Sequence, residues 1–141
     1  MSYKYLDHGA DIGLEVHGDK LEDLFSEAGK ALFSLMVDLN QIKSKKKMKL
    51  SLTGSSLEDL LYEWLSELLS TSNLQGRVYG EFSELKIEED DSGFGLEATA
   101  RGERVDPRRH NLGTEVKAVT YQGLEIDEDE SGWGCRYVVD V

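Results

Sequence analysis

The chain has 141 residues, 39% hydrophobic and 31% charged, which is enough for one globular domain spanning residues 1–141 and too little for two. Sixteen Lys and Arg stand against 28 Asp and Glu, a net charge of −12 that argues against stable direct binding to a nucleic-acid backbone and makes a cation or a basic surface the natural complement. The single cysteine, Cys135, excludes an internal disulfide and a cysteine-rich metal cage, and no apolar run approaches the roughly 18 residues of a membrane span.

Met1 to Leu6 carries no apolar signal core, so a cytoplasmic protein is expected, with no membrane partner. Tyr3 to Asp7 reads as a short first strand. Ile12, Leu14 and Val16 alternate with Gly13, Glu15 and His17, the period of a half-buried strand. Asp19, with Glu22 three residues on, is the expected cap of a first helix whose stripe is Leu21, Leu24, Phe25, Ala28, Leu32, Leu35 and Met36. Lys43 to Lys49, five lysines in seven residues, reads as a solvated linker and edge strand leading into Met48, Leu50 and Leu52. It lacks the interleaved aromatics of a base-stacking platform.

Ser56, with Asp59 three residues later, opens a second helix with the stripe Leu57, Leu60, Leu61, Trp64, Leu65, Leu68 and Leu69. After Gln75-Gly76 the pattern turns β-like. Phe82, Leu85 and Ile87 lead to the turn Asp90-Asp91-Ser92-Gly93, and Phe94, Leu96, Ala98 and Ala100 return from it. Val116 to Ile126 is a further extended stretch, joined by the acidic turn Asp127 to Gly132 to a last strand, Trp133 to Val141. The order β-β-α-β-α followed by a β-rich half predicts an α+β single domain, with two helices packed on a mixed, mostly antiparallel sheet.

The densest polar cluster is Asp7-His8-Gly9-Ala10-Asp11 at the entrance to the second strand. With Ile12, Leu14 and Val16 facing the core, alternation sends Asp11 to the opposite face. Two readings stand side by side for this string: a turn in which the Asp residues bond local amides, and a hard-cation site of carboxylate and backbone oxygens for Ca²⁺, Mg²⁺ or Mn²⁺. In the last strand Trp133, Cys135, Tyr137, Val139 and Val141 share one face. Asp140 takes the other, and a strand packed to its end would hold Asp140 and the Val141 carboxylate as adjacent anionic oxygens. Asp106-Pro107-Arg108-Arg109-His110 gathers cations in the acidic half, either as a solvated loop or as one that docks an anion or positions carboxylates. No nucleophile elbow, phosphate-binding glycine loop or metalloprotease helix occurs.

The strings Asp7-His8-x-Ala10-Asp11-Ile12-Gly13, Leu32-Phe33 with Met36-Val37, and Trp64-Leu65-x-Glu67-Leu68-Leu69 resemble the archease family. So do Arg109-His110, Lys117-Ala118-Val119-Thr120-Tyr121 and the ending Val138-Val139-Asp140-Val141, all in family order across nearly the whole chain. The resemblance implies an accessory protein, not an enzyme, for the GTP-dependent RNA ligase of the RtcB type that joins tRNA halves in splicing. It would promote formation of the ligase–guanylate intermediate and repeated turnover. It also implies a divalent cation, expected to be Ca²⁺ with Mn²⁺ or Mg²⁺ as substitutes, held by Asp11, Asp140 and Val141. Asp7, His8, Arg109, His110 and Lys117 would be supporting or partner-contacting residues. The chain departs from the family at Gly9, usually Thr, and at Gln122, often His. Two competing functions are a metal-independent, chaperone-like interaction module with an acidic surface, and a metal-dependent hydrolase built on Asp7, His8 and Asp11.

Overall fold

A computed structural model describes residues 2–8 and 11–141, and within the first strand it describes the side chains of Tyr3 and Lys4. The strands are β1 (Ser2–His8), β2 (Asp11–Gly18), β3 (Lys46–Gly54), β4 (Arg77–Asp90), β5 (Gly93–Arg104), β6 (Ala118–Asp129) and β7 (Gly132–Asp140). The helices are α1 (Leu21–Met36) and α2 (Leu57–Gln75), with a short 3-10 turn at Leu39–Gln41. The expected α+β class with two helices is therefore the observed one. The strands, however, divide into two antiparallel sheets, ordered β1-β2-β7-β6 and β3-β5-β4. Periodicity reports which face a strand buries, not which strand lies beside it, so the division was invisible in the pattern.

Both helices touch both sheets, which explains why α1 buries more than one stripe. Leu24, Phe25, Ala28 and Leu32 are buried as expected, and so are Gly29, Ala31 and Phe33. Phe33 meets Tyr79 edge-on at 5.7 Å and Phe82 at 6.4 Å, anchoring α1 to β4. From the other sheet, the Tyr137 hydroxyl donates to the Ala28 carbonyl at 2.9 Å. Gly29 is the point of closest approach: a Cβ there would lie 2.7 Å from the Phe82 ring. The helix gives up about 1 kcal/mol of propensity at that residue and gains the contact. Between the helices, Trp64 Nε1 donates to the Phe25 carbonyl at 2.9 Å with the indole wholly buried.

Local signals hold where a short-range partner decides them. Ser56 Oγ accepts the Asp59 N–H at 3.0 Å, and Gly76 ends α2 in the left-handed region at φ 63°. The cap of α1 is a correction. It falls on Lys20, whose N–H is bonded to Asp23 Oδ2 at 3.2 Å, rather than on Asp19. β2 runs through Gly18, so the chain enters the helix one residue later than the Asp19–Glu22 spacing requires. The final strand alternates as expected, with Cys135, Tyr137 and Val139 buried and Arg136 and Asp140 exposed, but it ends at Asp140 and leaves Val141, expected within it, outside. β6 starts at Ala118 and reaches Asp129, so the expected acidic loop is a tight turn, Glu130-Ser131. It copies the turn at the other hairpin. In both, one aspartate oxygen accepts the N–H and the hydroxyl of a serine two residues on: Asp90 with Ser92 and Asp129 with Ser131, each at 2.8 and 2.7 Å. These bonds hold the Asp90 and Asp129 carboxyls below their ordinary range.

Candidate functional site

The ladder between β2 and β7 sets Asp11 opposite Asp140, and β6 continues the row with Ala118 opposite Asp140. Direct cross-strand partners share a face, with Cβ atoms about 5 Å apart. Two carboxylates are thus side by side on the face turned away from α1, with the small Ala118 beside them. On the backbone the row extends to His8 of β1, the partner of Asp11. The side chains of Asp7 and His8 lie outside the described residues. Asp11 and Val141 are partly covered and Asp140 is exposed.

Four residues further along the same face runs a ladder of alternating charge. Lys4 Nζ lies 3.5 Å from one Glu15 oxygen, Arg136 Nη2 lies 3.0 Å from the other, and Arg136 Nε approaches Glu125 at 4.0 Å. Asp11 and Asp140 have no such cation beside them among the described residues. Like charges set directly opposite one another destabilise a sheet, and a bound cation removes that cost. The donors are hard carboxylate oxygens, which fits Ca²⁺, Mg²⁺ or Mn²⁺ and not a thiolate-type zinc cage. Among the described residues no three His, Cys, Asp or Glu side chains gather as a ready-made cage. A cation at this pair would need further oxygens, from backbone or water, to complete a coordination shell.

Lys117 reaches the pair through its backbone: its N–H donates to the Asp140 carbonyl at 2.8 Å. It ends the long irregular connection 105–117, whose start is tied by the Val105 N–H to the Gly76 carbonyl at 2.8 Å and which is pinned at three further places. The N–H groups of Gly113 and Thr114 donate to the Met36 and Leu35 carbonyls, both at 2.8 Å, and so satisfy the free C-terminal end of α1. Lys117 is the second anchor. The third contains Arg109 and His110, and their partner is Glu103 of β5, which the sequence pattern did not single out.

Glu103 is 4% exposed. Its Oε1 accepts Arg109 Nη2 at 2.6 Å, its Oε2 accepts the Lys43 N–H at 2.7 Å, and His110 Nε2 stands 2.9 Å from Oε2. The Asp106 N–H donates to His110 Nδ1 at 2.7 Å, so the ring proton belongs on Nε2, aimed at the carboxylate. The Arg109 guanidinium, with help from the Lys43 amide and His110, holds the Glu103 carboxyl down to about 2 against the opposing effect of burial. Arg109 also donates to the Gln41 carbonyl at 2.6 Å. Arg109 and His110 therefore dock an anion of this chain, fastening the connection 105–117 to the segment after α1. The structure brings Asp11 and Asp140 together on neighbouring strands, with the Lys117 amide bonded to the Asp140 carbonyl, and places Arg109 and His110 in this separate buried cluster.

Cys135 is buried on the core face of β7, and burial, followed by the nearby Asp127 charge, pushes its thiol up to about 12. Among the described residues no helix is long and apolar enough to cross a membrane.

The model of the Archease protein family (MTH1598/TM1083) matches residues 3–141. The chain is 38% identical to Protein archease of Pyrococcus abyssi over 140 residues, 99% of this chain and 98% of that one. It is equally identical, 38% over 143 residues and the whole of both chains, to Protein archease of Methanopyrus kandleri. Among solved structures, that of Methanobacterium thermoautotrophicum protein 1598 superposes with a TM-score of 0.85 at 30% identity, covering 99% of this chain and 98% of that one. A crystal structure described as an archease, possible chaperone, from Thermotoga maritima shares the fold with a TM-score of 0.64 at 23% identity, covering 98% and 96%.

Proposed function

The chain belongs to the archease family, and on that footing we propose that it is an accessory protein of the RtcB-type RNA ligase in tRNA splicing, promoting ligase guanylylation and repeated turnover through a divalent cation at Asp11, Asp140 and Val141. The observation that carries the reading is the pairing of Asp11 with Asp140 across β2 and β7, with no cation of the chain beside either among the described residues. When bound, the cation supplies positive charge and exchangeable oxygen coordination on an acidic face. The residues of this chain hold the two carboxylates in register, fix Asp140 through the Lys117 amide, and keep the connection leading to β6 in place through Glu103. Neither His110 nor Cys135 is available as a reactive group. His110 has both ring nitrogens occupied and no exposed surface, and Cys135 is a buried, protonated thiol.

The test is RNA ligation by the cognate ligase at substoichiometric concentration, with and without the protein, and with Asp11→Ala and Asp140→Ala. The parent should convert about one turnover into many, and both variants should fold and fail to stimulate. Stimulation by both variants equal to the parent removes the metal from the account. A metal-independent, chaperone-like module is the second reading, favoured by the acidic net charge and by the description of the Thermotoga maritima relative as a possible chaperone. That module would ignore chelator and respond to salt.

A further inference from the structure

α2 carries no charged residue from Leu68 to Gln75, in a chain that is 31% charged. Ser70 and Leu74 of this uncharged half, with Tyr62 and Ser66 before it, wall a groove of about 410 Å³ whose other wall is Lys117 with Ala118 and Val119 at the start of β6. Asn73 lines both this groove and a neighbouring one of about 390 Å³, bounded by Leu112 and Glu115 of the connection 105–117 and by Arg77 of β4. Three large apolar side chains stand exposed among the described residues: Leu74 at 84%, Leu112 at 59% and Tyr121 at 50%. All three fall on this strip. Leu74 and Leu112 line the two grooves, and the Tyr121 ring packs 5.2 Å from that of Tyr62 on the groove wall. Isolated exposed apolar residues are ordinary, but their concentration on one strip makes it a candidate docking surface.

Charge selects the occupant. No carboxylate lines the first groove, and its one charged residue, Lys117, makes no ion pair with any described residue. On a chain of net charge −12 this is where a carboxylate beside apolar side chains can settle without like-charge repulsion. A phosphate backbone would find one lysine on an acidic molecule. The strip also adjoins the carboxylate pair, since Lys117 donates its N–H to the Asp140 carbonyl.

We propose that the RNA ligase docks on this strip through an apolar segment carrying an acidic residue that pairs with Lys117, which sets its active site beside Asp11 and Asp140. This rests on the ligase reading above. The test is calorimetric titration of the full chain into the cognate ligase, with ligation turnover measured on the same samples. Leu74→Asp, Leu112→Asp and Lys117→Glu alter groups on the surface of the strip, and each should weaken binding about tenfold or more with an unchanged circular dichroism spectrum. Glu130→Lys, at the far end of β6, should bind as the parent does. Asp11→Asn should bind like the parent and fail to stimulate. If the parent binds and stimulates and the strip variants do the same, the docking surface is overturned and the ligase reading stands. A parent that does not bind the ligase overturns both. Concentration-dependent dimerisation of the parent, abolished by Leu74→Asp, overturns the proposal in favour of a second copy.

Discussion

Asp11 and Asp140 stand directly opposite each other across the β2–β7 ladder, with Ala118 of β6 next in the row. Two opposed carboxylates cost a sheet up to about 1 kcal/mol, a cost that a divalent cation bound there would relieve. Ca²⁺ or Mn²⁺ at a hundredfold excess over its dissociation constant should stabilise the fold by about 2.7 kcal/mol, raising the melting temperature by roughly 8 °C. Differential scanning calorimetry with and without chelator measures this. Asp140→Asn should lose the metal-dependent part, and in chelator it should be no less stable than the parent.

Glu103 should be the costliest carboxylate in the chain to remove. Glu103→Ala strips the acceptor from Arg109, His110 and the Lys43 amide within a site that is 4% exposed. The expected loss is roughly 3 kcal/mol, read from urea unfolding at neutral pH. A variant as stable as the parent would mean that the connection 105–117 is held by its other anchors alone.

The same residue sets a pH dependence. Its folded-state carboxyl is depressed from the ordinary 4.5 to about 2, so its contribution is complete above pH 4.5 and is lost as pH falls from there towards 2. The stability difference between parent and Glu103→Gln should be constant from pH 7 to about 5 and shrink progressively below that, as followed by urea midpoints across the range. A difference that grows on acidification would contradict the assignment.

Trp64→Phe removes the indole N–H from the Phe25 carbonyl and leaves a void between α1 and α2. The loss should be about 2 kcal/mol, with the fold retained by far-ultraviolet dichroism.

Cys135 should be silent in the native state. With its thiol buried and pushed up to about 12, a disulfide reagent at pH 8 should label it only as fast as the protein opens, and at once in urea. Rapid native labelling would mean that β7 is not packed as described.

Much of the site was readable because it depends on short-range rules. Alternation alone places Asp11 and Asp140 on the faces opposite Leu14 and Tyr137, and both core residues are fully buried. Ser56 with Asp59, and Gly76, mark the ends of α2 because caps are settled within four residues. What stayed hidden depends on distant partners. Glu103 sits among Gly102 and Arg104 in a segment that reads as a strand end, and its burial follows from Lys43, sixty residues earlier, and from Arg109 and His110. The cations at 106–110 read either as a solvated loop or as one that docks an anion or positions carboxylates. The anion they hold belongs to the chain itself. The split into two sheets likewise depends on β7 returning to pair with β2, a long-range choice that no local pattern encodes.

The most direct test of the account is multiple-turnover ligation of tRNA halves by the cognate RtcB-type ligase with GTP, comparing parent, Asp140→Ala and chelator-treated protein. The account predicts many turnovers per ligase with the parent and about one with either alternative. Equal turnover in all three, or no stimulation by a folded parent, would contradict it.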